Sequence, residues 1–298
     1  MNNSLMALAL VPFLALNAPK QHVHEFAPEH NLKLPVSMNF SGTTEEEFNS
    51  ALDKVELVYN PIFKDHNATF VVERSWTDET INAYAYQNDD RWIFSMFGGL
   101  ARHKEVTKDS FTLVACHEVG HHLGGFPKSS WASNEGESDY YGTLKCLRRI
   151  WQDEDSIAVV AEMKIDEAAA VACEKQWSNA NDAAVCKRSA MAGKSLARLL
   201  SQLGGDKTMP EFDTPDKTKT ENTNDNHPAA QCRLDTYFAG SLCTVDFNQD
   251  VDEVDPTIGV CTFGEIGGRP SCWFNPNTPV PSDDPGDGEE PPMTDRRY

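Results

Sequence analysis

The sequence contains no hydrophobic run of membrane-spanning length. The longest apolar stretch, "LMALALVPFLAL", has twelve residues and lies close to the N-terminus, whereas a transmembrane helix needs about 20. Twelve residues match the apolar region of a secretory signal peptide. We therefore expect no integral membrane segment in the mature chain.

Basic residues are scarce as well. The chain has 26 Lys and Arg against 46 Asp and Glu, which gives a formal net charge of −20 at pH 7. Proteins that bind nucleic acid or anionic lipid use clustered positive charge. This balance excludes both as expected partners.

No two cysteines have CxxC spacing, so a cysteine metal cluster has no support in the sequence. Disulfides are the alternative for most of the eight cysteines, and their connectivity stays open. Four lie in Gly-, Asn- and Pro-containing sequence where a core would be thin: Cys232, Cys243, Cys261 and Cys272. Three lie in predicted helices and can pair with one another or with that group: Cys146, Cys173 and Cys186. We interpret Cys116 as a small buried hydrophobe.

Composition divides the chain into three parts. Residues 1–18 are predicted to be a signal peptide, although no Lys or Arg precedes the apolar run and a buried N-terminal strand or helix is the alternative. Residues 19–275 are predicted to form one domain, with a cysteine-rich part from about residue 228. The Pro-, Asp- and Glu-rich residues 276–298 are predicted to be disordered. A signal peptide and disulfides together predict a periplasmic or secreted protein.

The segment "ACHEVGHHLGG" carries the strongest chemical signal. The preceding "DSFTLVA" predicts a helix that begins at Asp109 or Ser110. On that helix His117 and His121 share one face, with Cβ atoms about 5–6 Å apart, and two imidazoles at this spacing can bind one zinc ion. Glu118 lies about 100° further round the helix and can reach water beside the metal, as in the HExxH motif of metallohydrolases.

The next predicted helix, "SNEGESDYYGTLKCLRRIW", offers the missing ligand. Glu135 and Asp139 are four residues apart and share a face. We predict that Glu135 is the third zinc ligand and that Asp139 accepts the outward N–H of a liganding histidine. An acidic first turn that complements the helix dipole is the alternative explanation, and it suits Glu137.

These segments resemble the HExxH…ExxxD signature of gluzincin peptidases, the thermolysin-like clan. Upstream, "INAYAYQNDDRWIFSMFGGL" is similar to the strands that precede the zinc helix in HtpX-like peptidases and CAAX prenyl proteases, and downstream "NHPAAQCRL" is similar to their His-Pro…Arg segment. Those enzymes carry transmembrane helices, so the resemblance implies a soluble relative. It implies further that His227 donates to the oxyanion and that Arg233 holds nearby acids or the substrate backbone. It also places Asn82 and Ala83 on a strand that pairs with extended substrate.

The predicted fold class is α+β: a mainly helical zincin with a small antiparallel N-terminal sheet beside the HExxH helix, and a loop-rich, cysteine-bearing C-terminal region. A capped helix is predicted from Thr43 or Thr44, and three strands lie within residues 68–99. Residues 155–203 are predicted to be helical. Three early histidines are expected to be scattered on the surface, with an exposed metal cluster as the alternative: His22, His24 and His30.

The predicted function is zinc-dependent metalloendopeptidase, with one Zn²⁺ per chain and a peptide or protein substrate. Zinc lowers the pKa of a bound water, and Glu118 takes its proton as the water attacks the peptide carbonyl. If His227 does not stabilise the oxyanion, Tyr140 is the alternative donor. Two other functions stay open: a non-hydrolytic, chaperone-like zinc protein of the envelope, and a zinc hydrolase of non-peptide amides.

Overall fold

The structure is a computed structural model, and it describes residues 23–278. The predicted signal peptide and nearly all of the predicted tail lie outside these residues. In the described part of the chain, no helix is both long enough and apolar enough to span a membrane.

The chain forms a small sheet and a larger helical layer, which confirms the α+β prediction. The strands are β1 (Val23–Glu25), β2 (Thr69–Ser75), β3 (Ala83–Asn88), β4 (Arg91–Phe97), β5 (Lys128–Ser129) and β6 (Ala132–Ser133). The helices are α1 (Glu45–Asp65), α2 (Gly98–Ala101), α3 (Lys108–Leu123), α4 (Glu135–Tyr141), α5 (Leu147–Trp151), α6 (Ser156–Ala161), α7 (Glu167–Gln176), α8 (Ala180–Gly204) and α9 (Ala230–Leu242), with a π-helical turn (Gly142–Cys146) between α4 and α5.

Helix α1 has Thr44 as its N-cap, which is one of the two predicted caps. The Thr44 hydroxyl accepts from the backbone N–H of Glu47, and the Glu47 carboxylate accepts from that of Thr44. This reciprocal capping box satisfies two N–H groups that have no partner inside the helix. The apolar side chains of this helix recur at helical spacing and face the main core, where Phe48, Leu52 and Val55 are buried.

The sheet has the strand order β1-β3-β4-β2 and is mixed, so the prediction of an antiparallel sheet is wrong in part. Strand β3 is antiparallel to β4, but β2 is parallel to β4. Residues 76–82 carry the chain past the end of β4 before β3 begins on its other side. Strand β1, which was not predicted, closes the free edge of β3.

Helix α3 lies at the centre of the domain. It packs against α1, α4, α8 and the sheet, and every residue from Ser110 to His122 is buried. The helix begins at Lys108 because Thr107, not Asp109 or Ser110 as predicted, is its N-cap: the Thr107 hydroxyl accepts from the Ser110 N–H. Side chains on this helix are therefore held by protein on all sides.

Four disulfides connect the helices and the C-terminal loops: Cys116–Cys146, Cys173–Cys186, Cys232–Cys272 and Cys243–Cys261. The interpretation of Cys116 as a free hydrophobe is wrong, although its side chain is fully buried. The π-helical turn that carries Cys146 packs against α3, and the two Cα atoms are 5.5 Å apart. All eight cysteines are paired.

Candidate metal centre

Helix α3 presents two imidazoles from consecutive turns. His117 and His121 are both fully buried, their ring centroids are 4.7 Å apart, and their planes are nearly perpendicular at 87°. Within residues 23–278, neither Nε2 atom has a hydrogen-bond partner. Buried polar atoms are rarely left in this state unless they bind an ion or water.

Helix α4 brings a carboxylate to these two nitrogens. A Cβ atom on Gly120 would lie 2.8 Å from the Cα of Ser138, so glycine at this position lets α3 and α4 approach closely. Glu135, the first residue of α4, places one carboxylate oxygen 3.3 Å from His117 Nε2 and the other 3.6 Å from His121 Nε2. Neither of these two contacts has the geometry of a hydrogen bond. Both Nε2 atoms and Oε2 of Glu135 are therefore without a hydrogen-bond partner among the described residues.

The opposite nitrogen of each ring is held by the protein. His117 Nδ1 lies 2.8 Å from Asp139 Oδ1. His121 Nδ1 lies 2.9 Å from the Ser133 carbonyl oxygen and 3.0 Å from Ser138 Oγ. A neutral ring with its proton on Nδ1 presents a bare Nε2 lone pair to Glu135, which is the tautomer that binds a metal. A ring protonated on both nitrogens must release the Nε2 proton when the metal binds.

The donor set fits a zinc ion. Two imidazole nitrogens and one carboxylate are the ligands of a catalytic zinc that keeps further positions open. Their inward atoms are buried and unsatisfied, and their outward atoms are fixed by hydrogen bonds. Such a site loses little conformational entropy when it binds a cation.

The carboxylate of Glu118 faces the same buried space. Both carboxylate oxygens are buried and have no hydrogen-bond partner in the described chain. Burial, opposed by the nearby His117, raises the pKa of Glu118 to about 8. A carboxyl whose pKa lies near neutrality can accept and return a proton, as a general base requires.

Neighbouring charges also shift the pKa values of the groups that hold the site. Burial disfavours the charged form of His117, but Asp139 and Glu135 outweigh it and raise the pKa of this ring to about 9. Burial likewise opposes ionisation of Asp139, yet Arg233 and His117 hold the pKa of this carboxyl below its ordinary value. Asp139 is therefore an anion on the far side of His117.

Arg233 and His227 are brought to the site from the C-terminal half. Arg233 lies on α9 and donates to both oxygens of Asp139, at 2.6 and 2.7 Å. His227, at the end of the long loop before α9, has Nε2 3.5 Å from Glu135 Oε2 and 2.7 Å from the Glu25 carbonyl oxygen. All seven predicted side chains of the centre thus lie in one cluster: His117, Glu118, His121, Glu135, Asp139, His227 and Arg233.

Tyr140, the alternative donor, is directed away from this cluster. Its buried hydroxyl donates to the Gly267 carbonyl oxygen at 2.5 Å. Glu137 lies in the first turn of α4, as its interpretation as a helix-start acid requires, and it is fully buried and accepts two hydrogen bonds from Arg269. Both side chains attach α4 to the cysteine-rich C-terminal region.

Asn82 and Ala83 contact the protein's own N-terminal segment, where a substrate strand was predicted. The Asn82 side chain accepts from Ala27 N at 2.9 Å and donates to the Ala27 carbonyl oxygen at 3.1 Å. The Ala83 carbonyl oxygen accepts from Phe26 N at 3.0 Å. This part of the β3 edge is occupied by the protein's own chain.

His24 belongs to the centre, and the sequence reasoning missed it. His24 Nδ1 lies 3.8 Å from Glu135 Oε1, and its ring centroid is 4.6 Å from that of His121. His24, His121 and Glu135 each offer one donor atom, all within 4.8 Å of one another. No local pattern marks His24, because its position depends on the pairing of β1 with β3. His22 lies outside the described residues.

His122, the remaining histidine of the motif segment, has a structural role. Its ring is stacked between Trp92, at 5.4 Å, and Trp131, at 4.9 Å. Burial lowers its pKa to about 3, so the ring is neutral. It anchors α3 to the sheet.

No protein-family model matches the sequence, and neither the curated proteins nor the solved structures gave a match. The site is therefore interpreted from its own geometry.

Proposed function

We propose that the protein is a zinc-dependent metalloendopeptidase of the gluzincin type, in which His117, His121 and Glu135 hold one Zn²⁺. The observation that carries this proposal is the set of inward, buried and unpartnered donor atoms on these residues, with the equally unpartnered Glu118 beside them. A purely structural zinc site has no need of Glu118. The HExxH…ExxxD spacing and the resemblance to HtpX-like peptidases support the same class.

When bound, zinc supplies a Lewis acid that polarises the peptide carbonyl and acidifies the attacking water. Glu118 takes the proton of that water and returns it to the departing amine. His227 donates from Nε2 to the developing oxyanion. Asp139, fixed by Arg233, orients His117 through Nδ1.

A peptide is favoured over other amides because the edge of β3 accepts an extended backbone. Residues 23–25 already pair there as a strand, and residues 26 and 27 bind next to them through backbone and amide hydrogen bonds. A cavity of about 340 Å³ next to His227, walled in part by Leu200 and Leu203, offers space for a substrate side chain. We infer a periplasmic or secreted location from the four disulfides, which persist in oxidising compartments.

The test compares the purified wild-type protein with Glu118→Gln in zinc content and in hydrolysis of a mixed peptide library. We expect one zinc per chain in both proteins and a loss of turnover of at least about 10²-fold in the variant. Glu174→Gln, on an exposed ion pair with Lys187, is the matched control and should retain full turnover. Equal turnover in wild type and Glu118→Gln would refute the mechanism, and zinc binding without hydrolysis in any form would leave the chaperone-like function.

A further inference from the structure

Three consecutive residues of the N-terminal segment each contact a different histidine of the centre. The ring of His24 packs on His121 at 4.6 Å. The carbonyl oxygen of Glu25 lies 2.7 Å from His227 Nε2. The ring of Phe26 meets that of His117 edge to face, with centroids 5.4 Å apart.

Strand β1 makes these contacts from the position of an added strand. It runs antiparallel to β3, with Val23 opposite Tyr86, His24 opposite Ala85 and Glu25 opposite Tyr84. Extended peptides commonly bind proteins by pairing with an exposed sheet edge in this way. Without β1, residues 84–86 would present a free edge beside the metal ligands.

The centre is closed in this arrangement. His117, Glu118 and His121 have no exposed surface, and Glu135 is 3% exposed. A hydrolase must admit both water and substrate to its general base, and this conformation admits neither. The closed form is therefore not the form that turns over.

The segment is held unevenly along its length. Phe26 and Ala27 are fully buried, and Arg233 donates to the Phe26 carbonyl oxygen at 2.6 Å. Val23, by contrast, is 45% exposed, and within the described residues β1 is an edge strand, paired with β3 on one side. Strand β1 can leave β3 while residues 26 and 27 stay anchored.

We propose that β1 (Val23–Glu25) is an intramolecular pseudosubstrate, in which His24 adds a further ligand to the metal and Glu25 presents a carbonyl to His227. The inference rests on the proposed function. Release of β1 from β3 opens the centre, and an extended peptide replaces it along residues 84–86. His227 Nε2 then donates to the carbonyl of the substrate and no longer to that of Glu25.

The first test measures metal coordination independently of activity. Zinc K-edge absorption of the zinc-loaded protein should show one imidazole fewer in His24→Ala than in wild type. Peptide hydrolysis by His24→Ala should rise at least tenfold in kcat/KM, because the centre is open more of the time. His66→Ala is the matched control, since it removes an imidazole at the exposed C-cap of α1.

The second test locks the strand in place. Val23 and Tyr86 are directly opposed, and opposed Cβ atoms lie about 4.5–5.5 Å apart, which is close enough for a disulfide after a small adjustment. The double variant Val23→Cys/Tyr86→Cys, with the new disulfide verified by peptide mapping, should bind zinc and lose at least 90% of the wild-type turnover. The single variant Tyr86→Cys carries the same change on the β3 edge without the lock and is the reference for this loss, whereas Val23→Cys should retain turnover.

The outcomes separate the two proposals. An unchanged imidazole count in zinc-loaded His24→Ala, or full turnover in the locked double variant, overturns the pseudosubstrate while leaving the peptidase function intact. Absence of zinc or of hydrolysis from wild type and from every opened variant refutes the proposed function itself. Fewer imidazoles together with faster hydrolysis in His24→Ala supports both.

Discussion

Arg233 and Asp139 form a doubly hydrogen-bonded ion pair, with Nε to Oδ2 at 2.6 Å and Nη2 to Oδ1 at 2.7 Å. Both side chains are at most 1% exposed. The pair joins α9 to α4 across 94 positions of sequence, and its carboxylate also accepts from His117. The orientation of His117, a proposed metal ligand, thus depends on packing in the C-terminal half.

Arg233→Ala should reduce the free energy of unfolding by about 3–5 kcal/mol, because it leaves the Asp139 carboxylate buried without its partner. Zinc affinity should fall about 10- to 100-fold, the usual effect of losing a group that orients a ligand. Urea unfolding and zinc competition with a chelator measure the two effects. Arg198→Ala, which removes a partly exposed ion pair with Glu105, should change neither by much.

Gly120→Ala should disturb the centre without touching a ligand. The added Cβ would lie 2.8 Å from backbone atoms of Ser138, so α3 and α4 must separate. We expect a loss of about 1–3 kcal/mol in unfolding free energy and weaker zinc binding, because Glu135 moves away from both histidines. Gly204→Ala is the control: its Cβ would meet nothing nearer than 3.8 Å, and this variant should be as stable as wild type or more stable.

The local part of the site could be predicted from sequence. The i, i+4 spacing of His117 and His121, and again of Glu135 and Asp139, fixes which side chains share a helix face, and this depends on helix geometry alone. The apolar stripe of α1 follows from the same rule. These features need no information about distant residues.

Long-range pairing could not be predicted. Nothing in "VHE" indicates that β1 closes the edge of β3, because three residues carry no alternation pattern and their partners lie about 60 positions away. The parallel pairing of β2 with β4 depends on the path of residues 76–82. Cys116 pairs with Cys146 because tertiary packing brings α3 against the π-helical turn, and neither spacing nor composition encodes that contact.

The free energy of unfolding of the metal-free protein should depend on pH through the titration of Glu118. Burial raises its folded pKa to about 8, from an ordinary value of 4.5. Between these pH values the folded state keeps a proton that the unfolded state has lost, so this contribution to stability is complete below about pH 4.5 and is lost as pH rises towards 8. After the metal is removed by chelation, the free energy of unfolding of Glu118→Gln should therefore rise relative to that of wild type by at least about 1 kcal/mol as the pH is raised from 5 to 8.

Urea unfolding of both metal-free proteins at pH 5, 6.5 and 8 checks this expectation. The comparison at each pH cancels the titration of all other groups. A difference between the two proteins that stays constant from pH 5 to pH 8 would show that burial does not hold the Glu118 carboxyl protonated.

His227 gives the last prediction, which concerns the reaction itself. Its Nε2 lies 2.7 Å from the Glu25 carbonyl oxygen, so in the opened enzyme the same N–H is available to a substrate carbonyl. In the His24→Ala background, His227→Ala should lower kcat by about 10²–10³-fold, the effect of losing one oxyanion donor. KM and zinc content should change little, since the donor acts mainly in the transition state. His227→Gln, which keeps an N–H donor, should recover part of the loss, and His66→Ala, at the end of α1, should behave as the parent. A parent-like kcat in His227→Ala would remove His227 from the mechanism, and a matching loss of zinc would assign it to metal binding instead.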